Sequence, residues 1–511
     1  MKKPYFNFEN LMTLVLFGSI LINVYLSAYY VLHKDILFNT DIARDFLIMK
    51  EISEKKIVLI GPRSSAGGLF HGPLWHYLNY PAFFLGKGDP LVVGWFWISL
   101  IIGSIWINYF VAKKLFGKIS ALISASLFAG CIVISARGLS HPFGALFIMP
   151  LFIYSLIKYL NSQKAQFLIL HFLLCGFLFQ FEVSIGIPFF ILSLIFSVIY
   201  IFRKKNYVHL FAILAFPLAI ANFILFDIRH NFLMLRSSLN YVDTTSSKNV
   251  LNYYLVFIDR LAYFRDIFVI TTFSSITKYI FLIIILLLVF ITYKKVKDKN
   301  ILIFLYFLFG YFFLTFLNRR VILFHQVMPL IVFTGFIIAS FYKLSRFGNK
   351  YLFIALVIPL AFVVNNDLSA YNFYRQSSNS IGKVSDSWNF LNRLGKDLFN
   401  NNDQEFGYFV YSPDAFGYQS NYAVFYAASK SSKKAYPFKK LPITYLVIAP
   451  PPPDKPGMKD DWWRINQVRI FKKPTWTKFY ENGYKIERYS LTAAETKIPF
   501  NPDINIGLHF R

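Results

Sequence analysis

Acid is scarce in this chain of 511 residues, where 26 Asp and Glu stand against 53 Lys and Arg. Charge of either sign is thin, at 15% of residues, whereas soluble globular domains carry about a quarter. An ordinary soluble domain is thereby excluded. Cysteine is nearly absent. Both copies, Cys131 and Cys175, fall within apolar runs, where thiols pack as small hydrophobes, so neither a disulfide nor a cysteine-held metal is expected. No internal repeat is visible, and no glycine-rich stretch ends in the Gly-Lys-Ser/Thr of a nucleotide-binding P-loop.

The excess is apolar and aromatic: 56% hydrophobic, with 60 Phe and 33 Tyr, and a mean hydropathy of +0.48. Apolar runs of a length that spans a bilayer as a helix recur near 11–32, 90–112, 119–136, 143–158, 165–181, 186–202, 208–226, 267–293, 300–317, 321–342 and 351–365. About eleven transmembrane helices follow. The run after Met1-Lys2-Lys3 resembles a signal peptide, but it is longer than an h-region and lacks a small-residue cleavage site. It reads as an uncleaved first span.

The net charge of +27 has a definite placement. Basic clusters lie in short connections: Lys113-Lys114-Lys118, Arg203-Lys204-Lys205, Lys294-Lys295-Lys297-Lys299 and Lys343-Arg346-Lys350. With the N-terminus cytoplasmic, every cluster falls on the cytoplasmic side, as the positive-inside rule requires. No basic stripe lies on a soluble module, which excludes nucleic acid as a partner.

Three larger pieces then face outward: residues 33–89, 227–266 and the tail after Val364. In the tail, SDSWNFLNRLGKDLF has helical spacing of Trp388, Leu391, Leu394 and Phe399. FGYFVYS and ITYLVIAPPP read as buried strands, NYAVFYAASK as a helix, and the prolines from Pro450 with the Asp-Lys-Pro-Gly after them as a loop. The expected architecture is a polytopic α-helical membrane domain, 1–365, followed by a small extracytoplasmic α/β domain, 366–511.

Chemistry-bearing residues gather at the outward ends of spans. In FNTDIARDF, a helix beginning near residue 40 puts Asp41 and Asp45 on one face, with Arg44 three residues from Asp41. Either Asp41 or Thr40 caps that helix and Asp45 is a solvated first-turn acid, or the pair is catalytic. The loop IGPRSSAGGLFHGPLW offers glycine N–H groups for an anion, Arg63 for a phosphate and His71 as acid, base or ligand. Asp227, Arg229 and His230 follow the seventh run, and Asp227 is either a helix-end salt bridge or, with His230, half of a metal site. Glu182 lies where two spans meet, and ionisable groups at membrane depth are costly. Arg137, His141, Arg319, Arg320 and His325 run against the positive-inside trend and suit either an anionic ligand or lipid headgroups.

DIARDF followed by GPRSSAGGLFHGPLWHYL, together with LFDIRHNFL, resembles the GT-C membrane glycosyltransferases, in particular the protein O-mannosyltransferase and aminoarabinose transferase group. The resemblance covers about residues 1–365 and implies transfer of a sugar from a polyprenyl-phosphate donor to a lipid or glycan acceptor at the extracytoplasmic face. Asp41 falls at the family's acid/base position, with Asp45 and Arg44 beside it. Substrate- or phosphate-binding roles fall to Arg44, Arg63, His71, Arg137, His141, Glu182, Arg229, His230, Arg320 and His325. A divalent cation is the one cofactor implied, with Asp41, Glu182 and Asp227 as candidate ligands. The family's adjacent Asp-Glu pair is absent, since Ile42 follows Asp41. The rival readings are a transporter or flippase of a lipid-linked anion, for which paired broken helices and internal symmetry would be expected, and a non-catalytic envelope assembly protein.

Overall fold

The structure is a computed structural model that describes residues 8–64, 67–243, 252–268, 275–400, 404–414, 416–451, 460–502 and 504. Among these, seven helices are long and apolar enough to cross a membrane, or eight if the pair Tyr207–Ala219 and Ala221–Arg229, bent by 58°, counts as one span. The protein is a multi-pass α-helical membrane protein. The helices are α1 (Phe8–Leu32), α2 (Thr40–Lys55), α3 (Leu74–Leu85), α4 (Pro90–Phe116), α5 (Lys118–Val133), α6 (Pro142–Ser162), α7 (Ala165–Phe181) and α8 (Val183–Lys204). There follow α9 (Ala215–Ala219), α10 (Ala221–Arg229), α11 (Leu233–Asp243), α12 (Tyr253–Phe268), α13 (Ser275–Val296), α14 (Lys299–Leu314), α15 (Phe324–Val327), α16 (Ile331–Ser340) and α17 (Asn349–Ser378).

Two of the eleven expected spans are short for physical reasons. α5 has 16 residues and α7 has 17, and at ~1.5 Å per residue neither reaches the roughly 30 Å of a bilayer core. Hydropathy counts them because α5 is apolar and almost wholly buried against its neighbours. The expected span 267–293 includes residues outside the described ones. The last span runs past its expected end at 365, because the polar side chains of Asn366 and Asp367 find partners inside the protein. Asp367 accepts from Ser19 Oγ at 3.1 Å and Asn23 Nδ2 at 2.6 Å, and Asn366 Nδ2 donates to Leu127 O. α17 therefore passes unbroken through residue 366.

Cα packing divides the chain into two compact units: residues 1–28, 58–78 and 96–374, and residues 29–57, 79–95 and 375–511. The first is the helical bundle, with an aromatic centre in which Phe189 stacks on Phe307 and Phe333. Buried polar groups there meet each other. His171 Nε2 lies 2.9 Å from Ser193 Oγ, and its Nδ1 lies 3.0 Å from Phe152 O.

The second unit holds a five-stranded sheet, built from β1 (Phe406–Tyr411), β2 (Ala435–Pro437), β3 (Ile443–Ile448), β4 (Trp476–Phe479) and β5 (Lys485–Ser490), in the order β2-β1-β3-β5-β4. β1 pairs parallel with β2 and β3, and β5 pairs antiparallel with β3 and β4. Strand alternation sorts the side chains. Phe409, Leu446, Ile448 and Tyr489 share one core with Trp463, Val468 and Ile470. Phe406 and Tyr445 turn to the other face, where Phe406 meets Phe399.

Two helices belong to this unit, α18 (Trp388–Asn400) and α19 (Tyr418–Ser429). Trp388, Leu391, Leu394 and Phe399 are all buried, as their spacing predicts. The expected strands and the helix at NYAVFYAASK are present. β2, β4 and β5 were not expected: the last two mix charged and aromatic residues and carry no apolar run. The expected loop after β3 includes residues 452–459, which lie outside the described ones.

Candidate functional site

In the second unit, the stretch read first as a catalytic candidate forms the start of α2. Its cap is neither Asp41 nor Thr40 but Asn39, whose Oδ1 accepts from Ile42 N at 3.0 Å. Thr40 Oγ1 instead donates to Asp414 Oδ2 at 2.6 Å. That leaves Asp41 outside any capping role. Its side chain is 64% exposed and pairs with Arg44 Nη1 at 2.8 Å. Asp45 is buried, which corrects the expectation of a solvated acid, and lies 3.5 Å from Arg44 Nη2. One guanidinium thus serves an exposed carboxylate and a buried one.

The helix is held from both flanks. Phe38 and Phe46 pack on each other at 5.2 Å, and both pack on Tyr422 of α19. Asp35, fully buried, accepts from Ser387 Oγ at 2.8 Å and Asn389 N at 3.0 Å. Gln419 Nε2 donates to Phe38 O at 2.9 Å.

Burial works to raise the Asp414 carboxyl, but bonds from Ser412 Oγ, Thr40 Oγ1 and the N–H groups of Phe416 and Gly417 outweigh it and hold the group below its ordinary value. A depressed acid contributes stability that is present above the ordinary carboxylate range and lost as pH falls through the depressed value. As a whole residue Asp414 is exposed, so solvent screens these bonds, and Asp414→Ala is expected to cost about 0.5–1.5 kcal/mol near neutral pH, and less in acid. Thermal unfolding across a pH series measures it.

In the first unit, four of the expected residues converge. The loop after Ile60 is a small hairpin: Gly61 N donates to His71 O (2.8 Å), His71 N to Pro62 O (2.9 Å) and Ser64 N to Leu69 O (2.9 Å). Arg63 pairs with Phe70 across it and is exposed. Glycine is required at two places. A Cβ on Gly61 would lie 2.5 Å from Gly72 O, and one on Gly72 would strike Gln180, whose carbonyl accepts from Gly72 N. Gly61→Ala is expected to lower the unfolding temperature by displacing His71, with a cost of about 1–3 kcal/mol for overpacking.

The hairpin sets the His71 ring against that of His141, centroids 4.1 Å apart. His141 stands just before α6, where Pro142 fits the first turn, and its Nδ1 donates to Phe181 O at 2.7 Å. Glu182 caps α8, accepting from Ser184 Oγ at 2.7 Å and Ser184 N at 3.4 Å through Oε1. Its other oxygen lies 3.9 Å from His141 Nδ1 and 4.0 Å from His325 Nε2. Three histidines thus surround one carboxylate that is 3% exposed. Burial pushes that carboxyl up, against the Ser184 hydrogen bonds.

One ligand atom from each of His71, His141 and Glu182 lies within 4.8 Å of the others. Glu182 Oε2 is buried and accepts no hydrogen bond among the described residues. Two imidazoles, one carboxylate and an oxygen left without a donor fit a zinc-like divalent cation with room for a further ligand.

Other expected residues sit elsewhere. Asp227 is spent as a cap, accepting from Met234 N (2.7 Å) and Leu235 N (3.0 Å) at the start of α11. Both of its oxygens are thereby engaged, which replaces the salt-bridge and metal readings. His230 stacks on Phe226 and bonds Phe226 O, beside an exposed Arg229. Arg137 is buried in the turn after α5.

Arg320 lies on a segment organised by a residue the sequence did not single out. Arg260, fully buried on α12, donates through Nη2 to Asn318 O and Arg320 O, each at 2.7 Å. Gln180 was also missed. It bonds Ala219 O and Asn222, and Asn222 reaches Leu59 O beside the hairpin. The available signal was a polar residue, FQFE, at the end of an apolar run.

No family model matches this chain, and no curated protein does. Among solved structures, it is similar to ArnT from Cupriavidus metallidurans bound to undecaprenyl phosphate, with a TM-score of 0.56 and 10% identity over 96% of this chain and 99% of that one. The apo form of the same protein gives 0.53 and 9% identity over 93% and 97%. The fold is that of ArnT. The likeness runs through the tail as well as the bundle.

Proposed function

We propose that this protein transfers a sugar from a polyprenyl-phosphate donor to a lipid or glycan acceptor at the extracytoplasmic membrane face. The observation that carries the reading is the likeness, over nearly the whole of both chains, to a transferase crystallised with a polyprenyl phosphate. Placement of the basic clusters supports a cytoplasmic N-terminus and an extracytoplasmic domain at 366–511.

In this reading Asp41 is the general base. Its exposure lets an acceptor hydroxyl reach it, and Arg44 holds it in place. The carboxylate takes the hydroxyl proton as that oxygen bonds to C1 of the sugar, and the bond from C1 to the phosphate oxygen breaks with its electron pair leaving on the lipid phosphate. A single displacement inverts the anomeric centre. Positive charge beside the departing phosphate would offset the charge that develops there. His71, His141 and Glu182 would hold a divalent cation, which would supply a fixed positive charge for an anionic ligand.

The test is transfer of labelled sugar from a polyprenyl-phosphate donor by the full chain in reconstituted vesicles. A new glycosylated product is expected. Movement of the intact donor across the bilayer without transfer would replace this reading with a flippase.

A further inference from the structure

The span Phe324–Phe347 carries His325 in its first turn and Tyr342, Lys343 and Arg346 in its last two turns. About twenty residues of helix separate them, or about 30 Å. At this second end, remote from the Glu182 cluster, lies a cavity of about 220 Å³ lined by Glu9, Gly117, Lys118, Tyr342, Lys343 and Arg346. Nothing in the proposed chemistry uses it.

Its lining favours an anion. Lys118, Lys343 and Arg346 line it with Glu9, which Tyr342 OH engages at 3.4 Å, and Asp298 offsets the charge of Lys343 alone. Lys343 is fixed on three sides: Nζ donates to Asp298 Oδ2 at 2.5 Å and Leu115 O at 3.2 Å, and lies 4.8 Å over the Phe116 ring. Lys118 and Arg346 are both exposed, and no ion pair among the described residues takes up either. Between them Gly117, with φ +96° and no side chain to cap the helix, stands just before α5. A Cβ there would meet no atom within 4 Å. The first-turn N–H groups of α5 add their dipole to the two cations.

The surroundings favour a lipid. Leu11, Leu14 and Phe347 near the same end are 39%, 67% and 45% exposed, as side chains facing acyl tails would be. The volume is several times the ~30 Å³ share of one water. Basic pockets between transmembrane helices on the cytoplasmic side take phospholipid head groups.

The geometry points to a pocket, formed by Lys118, Lys343, Arg346 and the start of α5, that binds the phosphate headgroup of an anionic membrane lipid. It lies at the end of the bundle that the positive-inside rule places in the cytoplasm, and it stands whether or not the proposed transfer reaction does. Lipid held there ties the starts of α1 and α5 to the end of the Phe324–Phe347 span.

The test uses the full chain in nanodiscs of phosphatidylcholine with a minor fraction of phosphatidylglycerol, and counts retained phospholipids by native mass spectrometry after mild extraction. Wild type is expected to retain phosphatidylglycerol in preference to phosphatidylcholine. The double variant Lys118→Gln, Arg346→Gln is expected to lose that preference by about 25-fold, since each cation near the surface contributes about fivefold. Lys113→Gln, Lys114→Gln, on the same end but outside the cavity, is expected to keep it. Equal retention in both double variants would overturn the site. So would displacement of the lipid by millimolar inorganic phosphate, which would make the pocket a site for free phosphate. The replaced side chains are exposed, and an unchanged unfolding temperature in phosphatidylcholine alone shows that a lost preference is not a lost fold.

Discussion

Asp41→Asn is expected to lower sugar transfer by about 10²–10⁴-fold, the range for loss of a general base, with the unfolding temperature almost unchanged. Asp45→Asn is expected to show the opposite balance. The two carboxylates are one turn apart and share Arg44, yet their surroundings differ. Asp41 is largely exposed and its pair with Arg44 spans three residues on a helix surface, a type of bridge that contributes about 0–1 kcal/mol. Removing its charge costs little in folding, so a lost rate reads as lost chemistry.

Asp45 is buried beside the same guanidinium. Removing its charge leaves Arg44 with the exposed Asp41 and takes a hydrogen-bonding group out of a buried position, at a cost of roughly 1–3 kcal/mol. Initial rates in vesicles, set beside thermal unfolding of the same preparations, separate the two cases. Full activity in Asp41→Asn would remove it from the role of base. Lost activity at unchanged stability in Asp45→Asn would move that role to Asp45.

This pair shows how far local sequence reaches. The four-residue spacing put both acids on one helix, and the structure has that helix. Which acid is buried was not legible, because it depends on Phe38, Phe46, Trp388 and Tyr422, residues that lie up to nearly four hundred positions apart. Likewise, SHPFG and FQFE each looked like a span end, and nothing in either stretch said that His141 and Glu182 meet. Pairing of distant span ends brings them together, and a hairpin whose glycines permit close backbone contact adds His71. Membrane class, the tail's first helix and its two apolar strands were legible because each rests on a periodic apolar pattern. The end of the last span was misplaced because its polar residues are paid for by Ser19 and Asn23, on a helix more than three hundred residues earlier.

Glu182 gives the second large effect, in metal affinity and its pH dependence. A cation can take the Glu182 carboxylate only after its proton leaves, and the histidines must be neutral. Since burial raises the Glu182 carboxyl, Zn²⁺ affinity measured by calorimetry on metal-free protein is expected to rise with pH between about 5 and 7.5 and to release protons to buffer. Glu182→Gln and His71→Ala are each expected to weaken binding by more than about 100-fold, because even outer partners of metal ligands contribute 10–100-fold.

The metal-free protein behaves in the reverse sense. A raised acid favours the proton-bound folded state, so its contribution to stability is complete below the ordinary value of 4.5 and is lost as pH rises through the raised one. Stability of metal-free wild type is therefore expected to fall with rising pH relative to Glu182→Gln, whose neutral amide stands in for the protonated acid. Added Zn²⁺ is expected to reverse that trend in wild type alone. If Zn²⁺ stabilises Glu182→Gln as strongly as wild type, the cation sits elsewhere, and the three histidines then serve to hold a protonated carboxyl that donates a hydrogen bond instead of ligating a metal.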